Sequence, residues 1–253
     1  MLPASQVLLS FVFLITLKTD GFFLTTDFLQ NAYVITNDNS LVKVDSSGAV
    51  LFTYNQNRYG KLQFVDATNP LKLVLSYPDY GTVVMLDNTL SEVGVIPLRQ
   101  SGILSYSSVC FSSQDNNIWF FDTQDYKLKK MDNNNNIIIE SSDMFALIGK
   151  AIHPVFMQEK DQYIYLSDPQ VGIVVFDIYG TYYQTLPLLD LTKFQVMADQ
   201  LFFQKGPQLQ SLQLKTLEEK NIPFPDGIDP LDVRIEQDRL YLLKKEGLDI
   251  YRY

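Results

Sequence analysis

Histidine, cysteine and tryptophan each occur once in the 253 residues, as His153, Cys110 and Trp119. A lone cysteine excludes any disulfide within the chain and any thiolate metal cluster. In the apolar run Val109-Cys110-Phe111 it reads as a buried, inert thiol, since free cysteine is among the most buried residue types. A lone histidine excludes metal sites built on two imidazoles, and any Ser-His-Asp triad would have to use His153, yet no Gly-x-Ser-x-Gly elbow occurs. A Gly-rich phosphate loop is missing as well. Positive charge is scarce: 20 Lys and Arg face 29 Asp and Glu, for a net charge of −9. Most of the surface would therefore repel a phosphate backbone, which argues against nucleic acid as a partner, and it would repel an anionic membrane equally.

Long apolar runs are also wanting. Residues 7–17 (VLLSFVFLITL) are apolar apart from Ser10 and Thr16. That stretch has the length of a secretory h-region and falls short of the ~20 residues of a spanning helix, so no integral membrane span is expected. Residues 1–6 contain no Lys or Arg, and Thr19-Asp20-Gly21 is the best cleavage site available. The expectation is a signal peptide or hydrophobic segment over 1–20 and a single domain over 21–253, exported to the periplasm or secreted. An uncleaved anchor and a misassigned start are the rival readings, and lipid attachment at a lipobox is excluded because no cysteine follows the run.

What the chain does have is aromatic side chains, at 13% with 15 Tyr and 17 Phe, against only 19% charged residues. Flat and β-branched side chains suit a pleated, half-buried surface, so the composition favours an all-β protein. An internal repeat then narrows the architecture. Tyr33 to Thr36, the turn Asn37-Asp38-Asn39-Ser40, Leu41 to Asp45, the turn Ser46-Ser47-Gly48 and Ala49 to Tyr54 form one unit. The same order returns from Leu71, from Ile118 and from Tyr163, with two drifted copies from Gln200 and from Arg239. If third strands end near Asp45, Asp87, Asp132, Asp177, Lys215 and Arg252, the units recur about every 40 residues, the size of a blade of four short strands. The expected fold is a six-bladed β-propeller closed by an N-terminal strand, with Gly21 to Thr26 as donor of the outermost strand of the last blade. The Asn133 to Asn136 tract reads as a turn.

The unit Tyr163-Ile164-Tyr165-Leu166-Ser167-Asp168, Gly172-Ile173-Val174-Val175-Phe176-Asp177, Tyr179-Gly180-Thr181-Tyr182-Tyr183-Gln184-Thr185-Leu186 resembles the NHL-type blade: a strand ending in Asp, a strand ending in Phe-Asp, and a Gly turn into an aromatic strand. Val44-Asp45 and Gly48 resemble it more loosely. Across the rest of the chain the likeness is architectural, to the broad TolB-like class of six-bladed propellers. WD40 repeats are disfavoured, because Trp119 precedes Phe120 instead of Asp and no Gly-His pair occurs.

In a propeller the ligand face is made by the loops between second and third strands and by the connections between blades. Those positions nominate Arg58, Tyr59, Tyr80, Arg99, His153 and Asp168 as a binding rim, with the tyrosine and arginine content favoured at protein interfaces. Ordinary solvated turns are the competing reading, and His153 is open to two roles, a hydrogen-bonded structural residue or a binding residue at a channel mouth. No catalytic residue, resident metal or cofactor is expected. The favoured function is a non-enzymatic propeller of the cell envelope, monomeric or part of a hetero-complex, that binds a protein or peptide. The alternative implied by the resemblance is a calcium-dependent hydrolase of lactonase or esterase type with an all-oxygen site, for which Asp38, Asp79, Asp168 and Asp226 are the available carboxylates.

Overall fold

The computed structural model describes residues 11–225 and 228–253; the start of the expected export segment and Asp226 lie outside them. Among the described residues, 24 strands form six antiparallel sheets of four strands each, the blades of an all-β six-bladed propeller. Blade 1 spans residues 21–55, blade 2 residues 64–97, blade 3 residues 106–140, blade 4 residues 156–186 and blade 5 residues 195–223. Blade 6 combines Asp232–Glu236, Arg239–Lys244 and Gly247–Arg252 with Val12–Leu17.

The strands recognised in the first four repeats are the second, third and fourth of a blade, and those in the two drifted copies are the second and third. The expected donor is corrected: Gly21–Thr26 is the first strand of blade 1, paired with Ala32–Thr36. Val12–Leu17, inside the apolar run read as an export segment, lies instead on Gly247–Arg252. Phe13 there meets Tyr251 edge-on with ring centroids 5.5 Å apart, while Ile15 and Leu17 pack toward blade 1. A Cβ at Gly21 would stand 2.3 Å from Val34 Cγ1, so a larger residue there would displace the second strand's valine.

The third-to-fourth hairpins of blades 1 to 4 share one local device. The Oδ1 atoms of Asp45, Asp87, Asp132 and Asp177 each accept hydrogen bonds from the backbone N–H groups two and four residues on, at 2.8–3.0 Å. The fourth residue of each turn has positive φ, and in blades 1 and 4 it is Gly48 or Gly180, which adopt it without a Cβ clash. Asn133 to Asn136 is accordingly a turn.

The chain divides into two compact units, one made of the residues up to Asn55 with Phe194–Tyr253, the other of Gln56–Lys193. In the first, Leu24, Val34 and Val44 of blade 1 pack on Tyr241, Leu243 and Ile250 of blade 6. In the second, Cys110, Trp119 and Phe121 of blade 3 pack on Met157, Ile164, Leu166 and Phe176 of blade 4. Each such side chain stabilises its unit by about 1.5–3 kcal/mol through burial. Cys110 is fully buried, and burial pushes its thiol up, which keeps it protonated and inert.

First strands carry polar side chains that reach the backbone of the neighbouring blade. Asp66 Oδ2 of blade 2 accepts from Phe111 N of blade 3 at 2.8 Å, and Asp232 Oδ2 of blade 6 accepts from Leu24 N of blade 1 at 2.8 Å. Glu159 of blade 4 accepts from Ser113 N at 2.8 Å and from Trp119 Nε1 at 2.7 Å. Gln195 of blade 5 bonds both backbone groups of Ile235. These bonds satisfy backbone groups of the neighbouring blade and the buried Trp119 N–H.

Candidate functional site

Within Gln56–Lys193 the alternating strand directions bring the second-to-third hairpins and the connections between blades to one end. The first-to-second and third-to-fourth hairpins form the other. The connection end carries three short 3-10 turns, Asn57–Tyr59, Pro78–Tyr80 and Leu98–Ser101, and a five-residue α-helix, Met144–Ile148. Asp143 Oδ1 caps that helix by accepting from Ala146 N, and Gly149 closes it with a left-handed φ of 74°.

Four of the six nominated residues come together on blade 2. The Arg58 guanidinium lies 4.6 Å from the Tyr59 ring centroid and forms an ion pair with Glu92 at 2.5 Å. The Tyr59 hydroxyl donates to the same carboxylate at 3.1 Å, and its ring tilts against Tyr77 at 5.5 Å. Burial and the adjacent Glu92 together push the Tyr59 phenol up, so it stays a neutral donor. Arg99 Nη2 donates to the Asp79 carbonyl at 2.9 Å, and Asp79 Oδ2 accepts from Lys61 N at 3.0 Å, tying the two turns together. Tyr80, in the middle of this frame, is 59% exposed.

The other two nominated residues meet on blade 4. Asp168 is buried, and its oxygens accept from the N–H groups of His153 at 2.6 Å, Gln170 at 2.7 Å and Val171 at 3.2 Å. Its carboxylate organises the hairpin and the approach to the blade's first strand, Phe156–Lys160. His153 is exposed, and its ring stands edge-on to Tyr126 with centroids 6.2 Å apart.

Apolar side chains at the same end were not singled out from the sequence. Tyr80 is joined there by Leu104 at 57% exposure, Phe145 at 61%, Val155 at 48% and Leu147 at 38%. They occupy connections, where an isolated apolar residue reads as a core anchor until burial is known. At the opposite end of this unit the turns are rich in Asp, Asn, Ser and Thr, but Leu71 at 67% and Tyr179 at 74% are exposed there too.

Among the described residues, no three His, Cys, Asp or Glu side chains gather closely enough to hold a metal ion. The carboxylates named for an oxygen site have other work: Asp38 accepts from Thr36 and Ser40, Asp79 from Lys61, and Asp168 from the three N–H groups above. No helix among the described residues is long and apolar enough to cross a membrane.

No protein-family model matches the chain. No curated protein matches it either. Solved structures do. The chain is similar to the Neurospora crassa Pan2 WD40 domain at 11% identity, covering 96% of this chain and 95% of that one with a TM-score of 0.68. It is similar to virginiamycin B lyase from Staphylococcus aureus at 10% identity, with 96% and 100% coverage and a TM-score of 0.68. It is also similar to BamB from Moraxella catarrhalis at 12% identity, with 91% and 82% coverage and a TM-score of 0.51. At such identities the likeness shows the fold alone, a β-propeller, and propellers host unrelated functions.

Proposed function

We propose that the protein is a non-enzymatic binding propeller that presents the connection end of its Gln56–Lys193 unit to a protein partner. The observation that carries this reading is the set of exposed apolar side chains Tyr80, Leu104, Phe145 and Val155, which share the connection end of this unit with Arg99 and His153. An apolar centre with an aromatic and arginine rim is the anatomy of a protein interface. Arg58 and Tyr59, tied to Glu92, fix the neighbouring turn, while Arg99 and Lys61 N hold Asp79 beside Tyr80. Asp168 holds the hairpin beside His153. A location in the cell envelope, outside the cytoplasm, is part of the same proposal; Val12–Leu17 of the apolar run that suggested it is built into blade 6.

A photo-crosslinking amino acid at position 80 or 145, introduced in the native cells, should yield one discrete adduct. The same label at Asn134 should yield none. Y80A/F145A should abolish that adduct from a label at Val155 while leaving the melting temperature unchanged. Equal labelling from both ends would overturn the reading. A melting temperature that climbs with calcium concentration would instead favour the calcium-dependent hydrolase, since a ligand of the native state must stabilise it.

A further inference from the structure

The one thiol of the chain, Cys110, is buried and has no second cysteine to join, so a covalent staple within a blade would have to come from other side chains. Blade 4 brings tyrosines together for that chemistry. Its second, third and fourth strands are Tyr163–Asp168, Gly172–Asp177 and Tyr182–Leu186. The fourth carries a β-bulge: Gln184 lies opposite Val175 and Tyr182 opposite Phe176, which leaves Tyr183 as the extra residue. A bulge re-aims the side chain it inserts. Tyr182 packs on Phe176 with centroids 5.9 Å apart, whereas Tyr183 reaches across the third strand to Tyr163, with centroids 5.1 Å apart and ring planes at 48°.

Rings at that separation bring edge carbons into van der Waals contact, at about 3.5–4 Å. Tyr183 is 60% exposed and Tyr163 half-buried, so a reagent in solution reaches the pair. Tyr165 stands behind Tyr163 at 6.4 Å and is buried; burial, Asp161 and the two neighbouring tyrosines push its phenol up to about 12. Tyr59 and Tyr77 form a comparable contact at 5.5 Å, but Tyr77 is fully buried and the Tyr59 hydroxyl is tied to Glu92.

We propose that Tyr163 and Tyr183 are an oxidative modification site, at which a dityrosine bond joins the second and fourth strands of blade 4. The co-reactant is hydrogen peroxide acting through a haem peroxidase, a one-electron oxidant. It removes one electron and one proton from each phenol, giving two phenoxyl radicals. The ring carbons beside the oxygen-bearing carbons join, and the hydrogen on each of them moves to its own phenol oxygen. The chain loses two hydrogen atoms in all, and one hydrogen peroxide is reduced to two waters. The new bond closes a loop around the third strand, which constrains the unfolded chain as a disulfide does.

The test is treatment of the dilute full chain with a haem peroxidase and hydrogen peroxide, read by dityrosine fluorescence and mass spectrometry. The monomer should lose two hydrogens. Proteolysis before aspartate should leave the peptide that begins at Asp161 and holds Tyr163 bonded to the one that begins at Asp177 and holds Tyr183. Tyr163→Phe and Tyr183→Phe keep the rings and should each remove most of the monomer signal. Tyr179→Phe, at a tyrosine 74% exposed in the preceding turn, should leave it unchanged. Absence of dityrosine from the monomer, coupling between chains only, or a signal that survives either Tyr163→Phe or Tyr183→Phe would overturn the assignment. None of these outcomes bears on the photo-crosslinks that test the binding end.

Discussion

Aspartate does opposite things in two regions of this protein. In the third-to-fourth hairpins Asp45, Asp87, Asp132 and Asp177 stand at the surface and bond to N–H groups two and four residues away. On the first strands Asp66 and Asp232 are buried and bond to blades 45 and 208 residues away. The first use shapes a turn; the second joins one sheet to the next. The surroundings act on the carboxyls accordingly. Burial pushes Asp66 up. The Asn136 N–H and amide hold Asp132 below the usual carboxylate range. At Asp45 burial would raise the carboxyl, but the Ser47 hydroxyl and the N–H groups of Ala49 and Ser47 outweigh it and hold it low.

The contrast is broken most directly at Asp66. D66A leaves the buried Phe111 N–H without an acceptor, at a cost of about 1–3 kcal/mol. Trp119 is the one tryptophan in the sequence and lies buried in blade 3 of the same unit, so its fluorescence in a urea titration reads the loss. At Gly48, with φ of 85°, a Cβ would stand 2.8 Å from Ile15 Cγ2. G48A should therefore cost about 1–2 kcal/mol from the left-handed backbone alone, followed by thermal melting in circular dichroism. D45A, whose surface N–H groups water can serve, should cost only about 0.5–1 kcal/mol in the same measurement. If D45A proved as harmful as D66A, the distinction between turn-shaping and blade-joining carboxylates would fail.

The smallest effect is the most discriminating. Asp66 has its folded pKa raised above the unfolded value of about 4, so the folded state binds more protons in that window and its contribution falls as pH rises through it. Asp132 has its folded pKa lowered, so its contribution is complete above about pH 4 and is lost as pH falls below it. The stability gap between the wild-type protein and D66N should narrow as pH rises from about 4, and the gap to D132N should narrow as pH falls past it. Urea midpoints across a pH series would show both; parallel trends would contradict the assignment.

The same contrast explains what the sequence disclosed. A turn is written in consecutive residues, so Asp45, Asp87, Asp132 and Asp177 marked the repeat and let the loop positions of Arg58, Tyr59, Tyr80 and Arg99 be counted from it. Of the first strands, Gly21–Thr26 was read as a strand but given to the wrong blade, and the shortest and most polar were not legible. Phe64–Asp66 and Gln195–Met197 are three residues long, and Asp232–Glu236 reads D-V-R-I-E, three charges in five buried positions. Their polar side chains answer backbone groups of another blade, a complementarity that alternation of apolar residues does not record. Val12–Leu17 was hidden for a different reason: its apolar run fits a secretory segment as well as a strand. At the candidate site Asp168 was found as a loop residue, but one of its three backbone bonds depends on how His153 approaches, and the exposure of Phe145 and Leu104 depends on where the connections stop.

The seam of blade 6 sets a timetable for the ribosome. Thr16 and Asp249, which share a hydrogen bond of 2.6 Å, are 233 positions apart, so Val12–Leu17 must wait for the whole intervening stretch before its sheet exists. Blades 2 to 4 are each contiguous in sequence and can mature as they are made, whereas blade 6 cannot close until Gly247–Arg252 has followed. Until then an unpaired apolar strand is on offer to chaperones, and to any export machinery that reads such segments.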